Sequence, residues 1–189
     1  AYNWGYDPMQ FFALEGSYSS NIDDPQQVLR DFSHLVNQYH RDGFAVTMDV
    51  VYNHIYEVEG SSLNATLPYY YFRYVDGQLS DGTFCGNEIA SEFTMVRKFI
   101  KDACIYFVEQ FDIDGYRFDL MGITDIQTMN EIRDELLLIK PHIFLYGEGW
   151  NMASGLEEGS RATMQNHKEL PGYAYFNDLF RNEDMRFDQ

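Results

Sequence analysis

The sequence predicts an α/β fold built on a parallel sheet, with a (β/α)8 barrel favoured over a doubly wound sheet. Three observations carry this expectation. Amphipathic helical stretches alternate with short apolar stretches three times in series, which is the pattern of a parallel sheet. The polar residues of each apolar stretch gather at its C-terminal end, the edge at which parallel α/β architectures bind ligands. No glycine-rich phosphate loop follows any of these stretches, which weighs against a dinucleotide-binding sheet.

The first helix is predicted over residues 25–41. Val28, Leu29, Phe32, Leu35, Val36 and Tyr39 recur at helical spacing, Asp24 is placed to cap the start, Pro25 suits the first turn and Gly43 suits the end. The stretch "FAVTMDVVYNH", Phe44 to His54, follows directly. It is short, β-branched and apolar until its end, as expected of a strand buried on both faces. A second helix over 93–111 presents Val96, Phe99, Ile100, Ala103 and Phe107 before the strand "GYRFDL". A third over 125–139 presents Ile126, Met129, Ile132, Leu136 and Ile139 before "IFLYGEG". One strand-plus-helix step separates Asp119 from Glu148, but the path from Asp49 to Asp119 is far longer. The excess, about residues 55–92, reads as an insertion at the end of the first strand, and loops of that length are commonly functional. The whole span 1–189 is thus expected to be part of one barrel carrying a long strand-end loop.

Composition narrows the function classes. A chain of 189 residues with 45% hydrophobic content can bury one substantial core. Its formal net charge of -17 excludes a nucleic-acid backbone as the natural partner, because that needs clustered Lys and Arg. A neutral ligand suits this charge better. Fifteen Tyr and fifteen Phe supply flat rings with apolar faces that suit sugars as well as a core; the tyrosines at 69–71 are read first as core, with sugar stacking as the alternative. No apolar run has the length of a membrane span, so no membrane partner is expected. Cys85 in a loop-like stretch and Cys104 in a helical one are expected to be free thiols. The chain opens on Ala1 in the middle of a loop-like stretch, which reads as a fragment.

The stretch "DGYRFDLMG", Asp114 to Gly122, carries the chemistry. In a strand Arg117 and Asp119 project to one side, and Tyr116, Phe118 and Leu120 to the other. Burying two opposite charges merely to hold a fold is unrewarding, because desolvation can cancel their attraction. Asp49, Asn53 and His54 stand at the end of the first strand and Glu148 at the end of the third. Carboxylates on neighbouring strand ends can divide the cleavage of a glycosidic bond: one attacks the anomeric carbon, and the other protonates the departing oxygen and later activates water. Taken singly, each residue also has a plain structural reading: Glu148 as a cap or a partner of backbone amides, Asp49 as a structural acid, His54 as a satisfied hydrogen-bonding group.

Taken together, "MDVVYNH", "DGYRFDLMG" and "YGEGW" resemble, in order, three signature segments of the α-amylase family of glycoside hydrolases. The opening "YNWGYDP" is similar to the stretch that marks type I pullulanases within that family, and "GTFCGNEIASEFTMVRKFI" resembles their approach to the second segment. The resemblance spans essentially the whole chain. It implies that Asp119 is the nucleophile, that Arg117 orients it and that Glu148 is the general acid/base. Asp49, Asn53 and His54 would shape the sugar pocket, with His54 bonding a hydroxyl; Tyr6 would stack on the sugar, and Trp150 and Asn87 would add contacts. The implied reaction is retaining cleavage of α-1,6 branch linkages in pullulan, limit dextrins or glycogen. An α-1,4-acting amylase, an isoamylase, a branching enzyme or a non-catalytic carbohydrate-binding relative are the competing readings.

The departures from the family pattern are equally definite. The fourth segment, which contributes a His-Asp pair, is absent, and no "HD" occurs in the chain. Only the central strands of the barrel are covered, so further strands are needed to close it. These 189 residues by themselves are expected to fold poorly and to lack useful activity. No cofactor is required by the implied chemistry; some members of the family bind calcium, for which the chain carries no recognisable ligand motif.

Overall fold

The computed structural model describes residues 4–177. Four strands form one parallel sheet: β1 (Thr47–Val50), β4 (Gly115–Phe118), β5 (Phe144–Gly147) and β6 (Tyr173–Tyr175), in the order β1-β4-β5-β6. A separate two-stranded antiparallel hairpin, β2 (Tyr74–Val75) with β3 (Gln78–Leu79), lies in the long segment between β1 and β4. The parallel α/β expectation is met, but among the described residues the sheet is open and no barrel closes. Register sets the site. Asp49 pairs with Arg117, and Arg117 in turn with Tyr146, so the C-terminal ends of β1, β4 and β5 lie side by side.

Two of the three long helices begin and pack as their apolar spacing dictates. Helix α3 (Thr94–Phe111) buries Val96, Ile100, Ala103, Cys104 and Phe107, and α4 (Ile126–Ile139) buries Met129, Ile132 and Leu136. These side chains form one cluster with Tyr116, Phe118, Leu145 and Tyr173 of the sheet. Each such burial stabilises the fold by about 1.5–3 kcal/mol relative to exposure, and truncating Ile132 to alanine would cost about 2–5 kcal/mol. The polar tips of the buried rings are satisfied: Tyr116 donates to the Cys104 carbonyl at 2.6 Å and Tyr173 to the Met129 carbonyl at 2.7 Å. Asp125 caps α4 by accepting from the Thr128 amide at 2.9 Å.

The remaining long helix, α1 (Gln27–Arg41), departs from expectation in two ways. It starts later, because Asp24 braces the preceding turn instead of capping: its carbonyl accepts from Gln27 N at 2.9 Å and its carboxylate from Gln26 N at 3.0 Å. Gly43 ends it as expected, at φ +85°, a conformation that favours glycine. The expected core stripe is largely uncovered. Val36 is buried, whereas Leu35 and Tyr39 are each 48% exposed; among the described residues α1 packs mainly on α3.

Strand β1 is shorter than the expected Phe44–His54 and is not buried on both faces. Among the described residues it is an outer strand that pairs on one side, and within it Val50 alone is buried. Its continuation, Val51 to Ile55, is fully buried but leaves the sheet to enter the long segment. That segment folds into a short helix α2 (Ser62–Thr66) and the hairpin. Strand β6 was not expected. It follows two short 3-10 turns, Glu158–Ser160 and Met164–Glu169, so no amphipathic helix announces it. Its one sequence cue is the Pro171-Gly172 turn before an aromatic alternation.

Candidate active site

The site is organised around one guanidinium. Arg117, in the third position of β4, places Nη1 2.9 Å from Asp49 Oδ1 and 2.8 Å from Asp119 Oδ1, while Nη2 lies 2.6 Å from Glu148 Oε1. Three acids from three neighbouring strands therefore converge on one planar fork, an arrangement that a lysine cannot supply. Burial opposes the arginine's charge, but the surrounding carboxylates outweigh it, Asp119 foremost, and its pKa rises. The side chains of Arg117 and Asp119 are each only 12% exposed, so these attractions are weakly screened. Arg117 was expected to orient Asp119; it pairs with Asp49 and Glu148 as well.

Tyr6 reaches in from the N-terminal loop. Its hydroxyl donates to Asp49 Oδ2 at 2.6 Å, and this bond, aided by burial, pushes the phenol up to about 12. The rings of Tyr6 and Phe176 lie 5.7 and 5.6 Å from the guanidinium carbon of Arg117, within cation-π range. Phe176, just past β6, had no signal in the sequence reading because its strand was not recognised. Of the stretch "YNWGYDP", Tyr2 and Asn3 lie outside the described residues.

Asn53 and His54 are both buried, at 2% exposure. Asn53 Nδ2 donates to the Asp119 carbonyl at 2.7 Å and to Asp119 Oδ2 at 3.1 Å. Its amide oxygen then faces His54 Nδ1 at 2.6 Å, and because that oxygen can only accept, Nδ1 carries the proton. The other ring nitrogen, Nε2, is buried without a hydrogen bond among the described residues; Asp7 Oδ1 stands 3.9 Å away, too far for one. Desolvation lowers the His54 pKa despite the opposing pull of Asp119 and Asp7, which favours a neutral ring with Nε2 as an acceptor. Asp7 is a further residue that the sequence reading passed over.

The other expected sugar contacts divide. Trp150 stands half-buried two residues beyond Glu148, and its carbonyl lies 2.1 Å from where a Cβ on Gly122 would fall, so the turn after β4 and the loop after β5 interlock only through a glycine. Asn87 is buried, and its side chain accepts from Ile55 N at 3.1 Å and donates to Ile55 O at 2.8 Å, so it pins the backbone after β1. Of the tyrosine run, Tyr70 and Tyr71 pack against the core beside Phe93 and Phe99, whereas Tyr69 is largely exposed.

A buried charge network that sequence reasoning missed ties the long segment to the β5 loop. Arg73 pairs with Glu88 and with Glu92, and Glu88, fully buried, also accepts from Ser80, the Gly82 amide and Ser154. Burial alone would raise the Glu88 pKa, but Ser154, Ser80, Gly82 and Arg73 together draw it below the ordinary value. Cys85 and Cys104 are both free thiols, the first exposed and the second buried. Among the described residues no group of three or more His, Cys, Asp and Glu is arranged to hold a metal ion, and no helix is long and apolar enough to cross a membrane.

No protein-family model matches the chain. Individual relatives do. The chain is 46% identical over 183 residues to a pullulanase of Bacillus subtilis, covering 96% of itself and 26% of that protein. Among solved structures it matches the type I pullulanase of Bacillus subtilis complexed with maltose, with TM-score 0.95 and 46% identity over 96% of this chain and 26% of that one. It also matches the pullulanase of Paenibacillus barengoltzii complexed with maltohexaose and α-cyclodextrin, with TM-score 0.94 and 46% identity over 96% of this chain and 28% of that one. The chain thus spans about a quarter of the length of the relatives it matches. In sequence and in fold alike, this chain is a homologue of the type I pullulanases, corresponding to a segment of them.

Proposed function

We propose that this chain supplies the central strands of the catalytic (β/α)8 barrel of a retaining glycoside hydrolase that cleaves α-1,6 branch linkages in α-glucans such as pullulan, limit dextrins and glycogen. The observation that carries this reading is the joint hold of Arg117 on Asp119 and Glu148. Both acids are thereby gathered at one place beside the strand ends, as the nucleophile and the acid/base of a single linkage must be.

In this reading Asp119 attacks the anomeric carbon while Glu148 gives a proton to the departing oxygen; Glu148 then takes a proton from the water that releases the sugar. Arg117 keeps Asp119 aimed. Tyr6 and Asp49, joined by their hydrogen bond, form a ring and a carboxylate beside the reacting sugar, and the unpartnered His54 Nε2 accepts from a sugar hydroxyl. Trp150 adds a contact on the far side of Glu148. The chemistry uses carboxylates and requires no cofactor. Strands outside the chain, and a His-Asp pair borne on one of them, complete the barrel and the sugar site. The solved relatives with bound maltose and maltohexaose support an oligosaccharide as the ligand.

The test is a substrate panel on the full-length protein that carries these residues. Turnover of pullulan well above that of amylose supports the debranching assignment, and preference for amylose overturns it.

A further inference from the structure

Directly after Asp119 the backbone takes a conformation that side-chain-bearing residues rarely adopt. Leu120 has φ 40° and ψ 44°, in the left-handed region, although it is neither glycine nor asparagine. The surrounding hydrogen bonds show what this achieves. The peptide group joining Asp119 to Leu120 is one planar unit, and both of its polar ends are engaged. Its carbonyl, on Asp119, accepts from Asn53 Nδ2 at 2.7 Å; its N–H, on Leu120, donates to Glu148 Oε2 at 3.1 Å. Asn53 is itself buried and braced by His54, so the plane is fixed from the β1 side.

The same turn grips the Glu148 backbone. Glu148 N donates to the Phe118 carbonyl at 3.1 Å and the Glu148 carbonyl accepts from Gly122 N at 3.0 Å. Glu148 Oε1 is taken by Arg117 and Oε2 by the Leu120 amide, so the carboxyl is held at both oxygens by groups of the segment that carries Asp119. The two acids are thereby built into one rigid unit.

We infer that the Asp119–Leu120 peptide group, oriented by Asn53 and by the left-handed turn at Leu120, is a positioning element that aims the Glu148 carboxyl at the departing oxygen. This rests on the proposed role of Glu148 as proton donor. Asn53 then acts on the acid through a peptide plane, without touching the sugar, and the turn serves both halves of the reaction.

The test separates proton donation from everything else by the choice of leaving group. Fluoride departs without a proton, so first-turnover fluoride release from an α-maltosyl fluoride depends on Asp119 but not on Glu148. In the full-length protein, replacing the Leu120 amide by an ester removes the N–H that Glu148 accepts and weakens the Asp119 carbonyl that Asn53 holds, so it loosens the peptide group at both ends. The expected result is a loss of roughly 10-fold or more in pullulan turnover with fluoride release kept within about 2-fold, the same split that Glu148→Gln gives more severely, since positioned acid catalysis is worth about 10²–10⁴-fold.

Equal loss on both substrates, or no loss on either, overturns the inference. Should Glu148→Gln itself produce no split, the assignment of Glu148 fails, and that outcome is distinct from a failure of Leu120 alone. A second readout needs no backbone change. In ¹⁵N-leucine-labelled protein the Leu120 amide resonance, identified by its absence in Leu120→Gly, is expected to move in Glu148→Gln, which alters its acceptor. A resonance unmoved by that substitution overturns the inference.

Discussion

Arg117 Nη2 and Glu148 Oε1 lie 2.6 Å apart, so the guanidinium that pairs with Asp119 also holds the acid on the next strand. A fork of this kind needs nitrogens at fixed angles. The acids it holds approach from the ends of β1, β4 and β5, and among the described residues it is the one group that bonds to all three.

Arg117→Lys keeps one positive charge but loses the fork. Turnover of the full-length protein is expected to fall by about 10²-fold with little change in KM, because the loss touches the alignment of Asp119 and Glu148 more than the hold on the sugar. Steady-state kinetics on pullulan checks this, and unchanged turnover would count against the guanidinium as organiser.

Asp119→Asn removes the proposed nucleophile while keeping its size. A fall of ~10⁴-fold or more in kcat is expected, with oligosaccharide binding retained in calorimetry. Near-normal turnover would assign attack to another residue.

Tyr6→Phe deletes only the hydroxyl that donates to Asp49 at 2.6 Å. A hydrogen bond to a charged acceptor is worth about 1.5–3 kcal/mol, so kcat/KM is expected to drop at least ~10-fold while ring stacking survives. Because the phenol is held up to about 12, wild-type activity should show no ionisation from Tyr6 between pH 5 and pH 9. A pH profile of both proteins decides the matter.

Glu88 links stability to pH. Its pKa is lowered in the fold, so its stabilising contribution is complete above the ordinary carboxyl value near 4.5 and is lost as pH falls below that, through the folded value. Glu88→Gln leaves Arg73 buried with Glu92 as its remaining acid and is expected to cost about 3 kcal/mol at pH 7. Its stability should also decline less steeply in acid than that of the wild type. Denaturant titrations at pH 7 and pH 4 measure both effects, and parallel acid limbs would refute the role of this carboxylate.

What the sequence made legible was whatever periodicity and strand ends can encode. The stripes of α3 and α4, the shared face of Arg117 and Asp119, and the gathering of Asp49, Asn53, His54 and Glu148 at one sheet edge all follow from spacing alone. Residues whose roles depend on long-range approach stayed hidden. Phe176 and Asp7 meet the site only through loops, and the hold of Asn87 on the Ile55 backbone is a long-range contact of the same kind. Strand β6 escaped because tight turns, with no apolar helical repeat, precede it. The stripe of α1 was legible as apolar, but its burial depends on what lies against it.

The outer rims of the sheet, at β1 on one side and β6 on the other, have a practical meaning for anyone preparing the span 4–177 alone. Each rim offers a row of amide and carbonyl groups that will accept any extended peptide, including a second copy. Such a preparation should grow in size with concentration on a gel-filtration column, and added flanking sequence that occupies either rim should return it to a single small species.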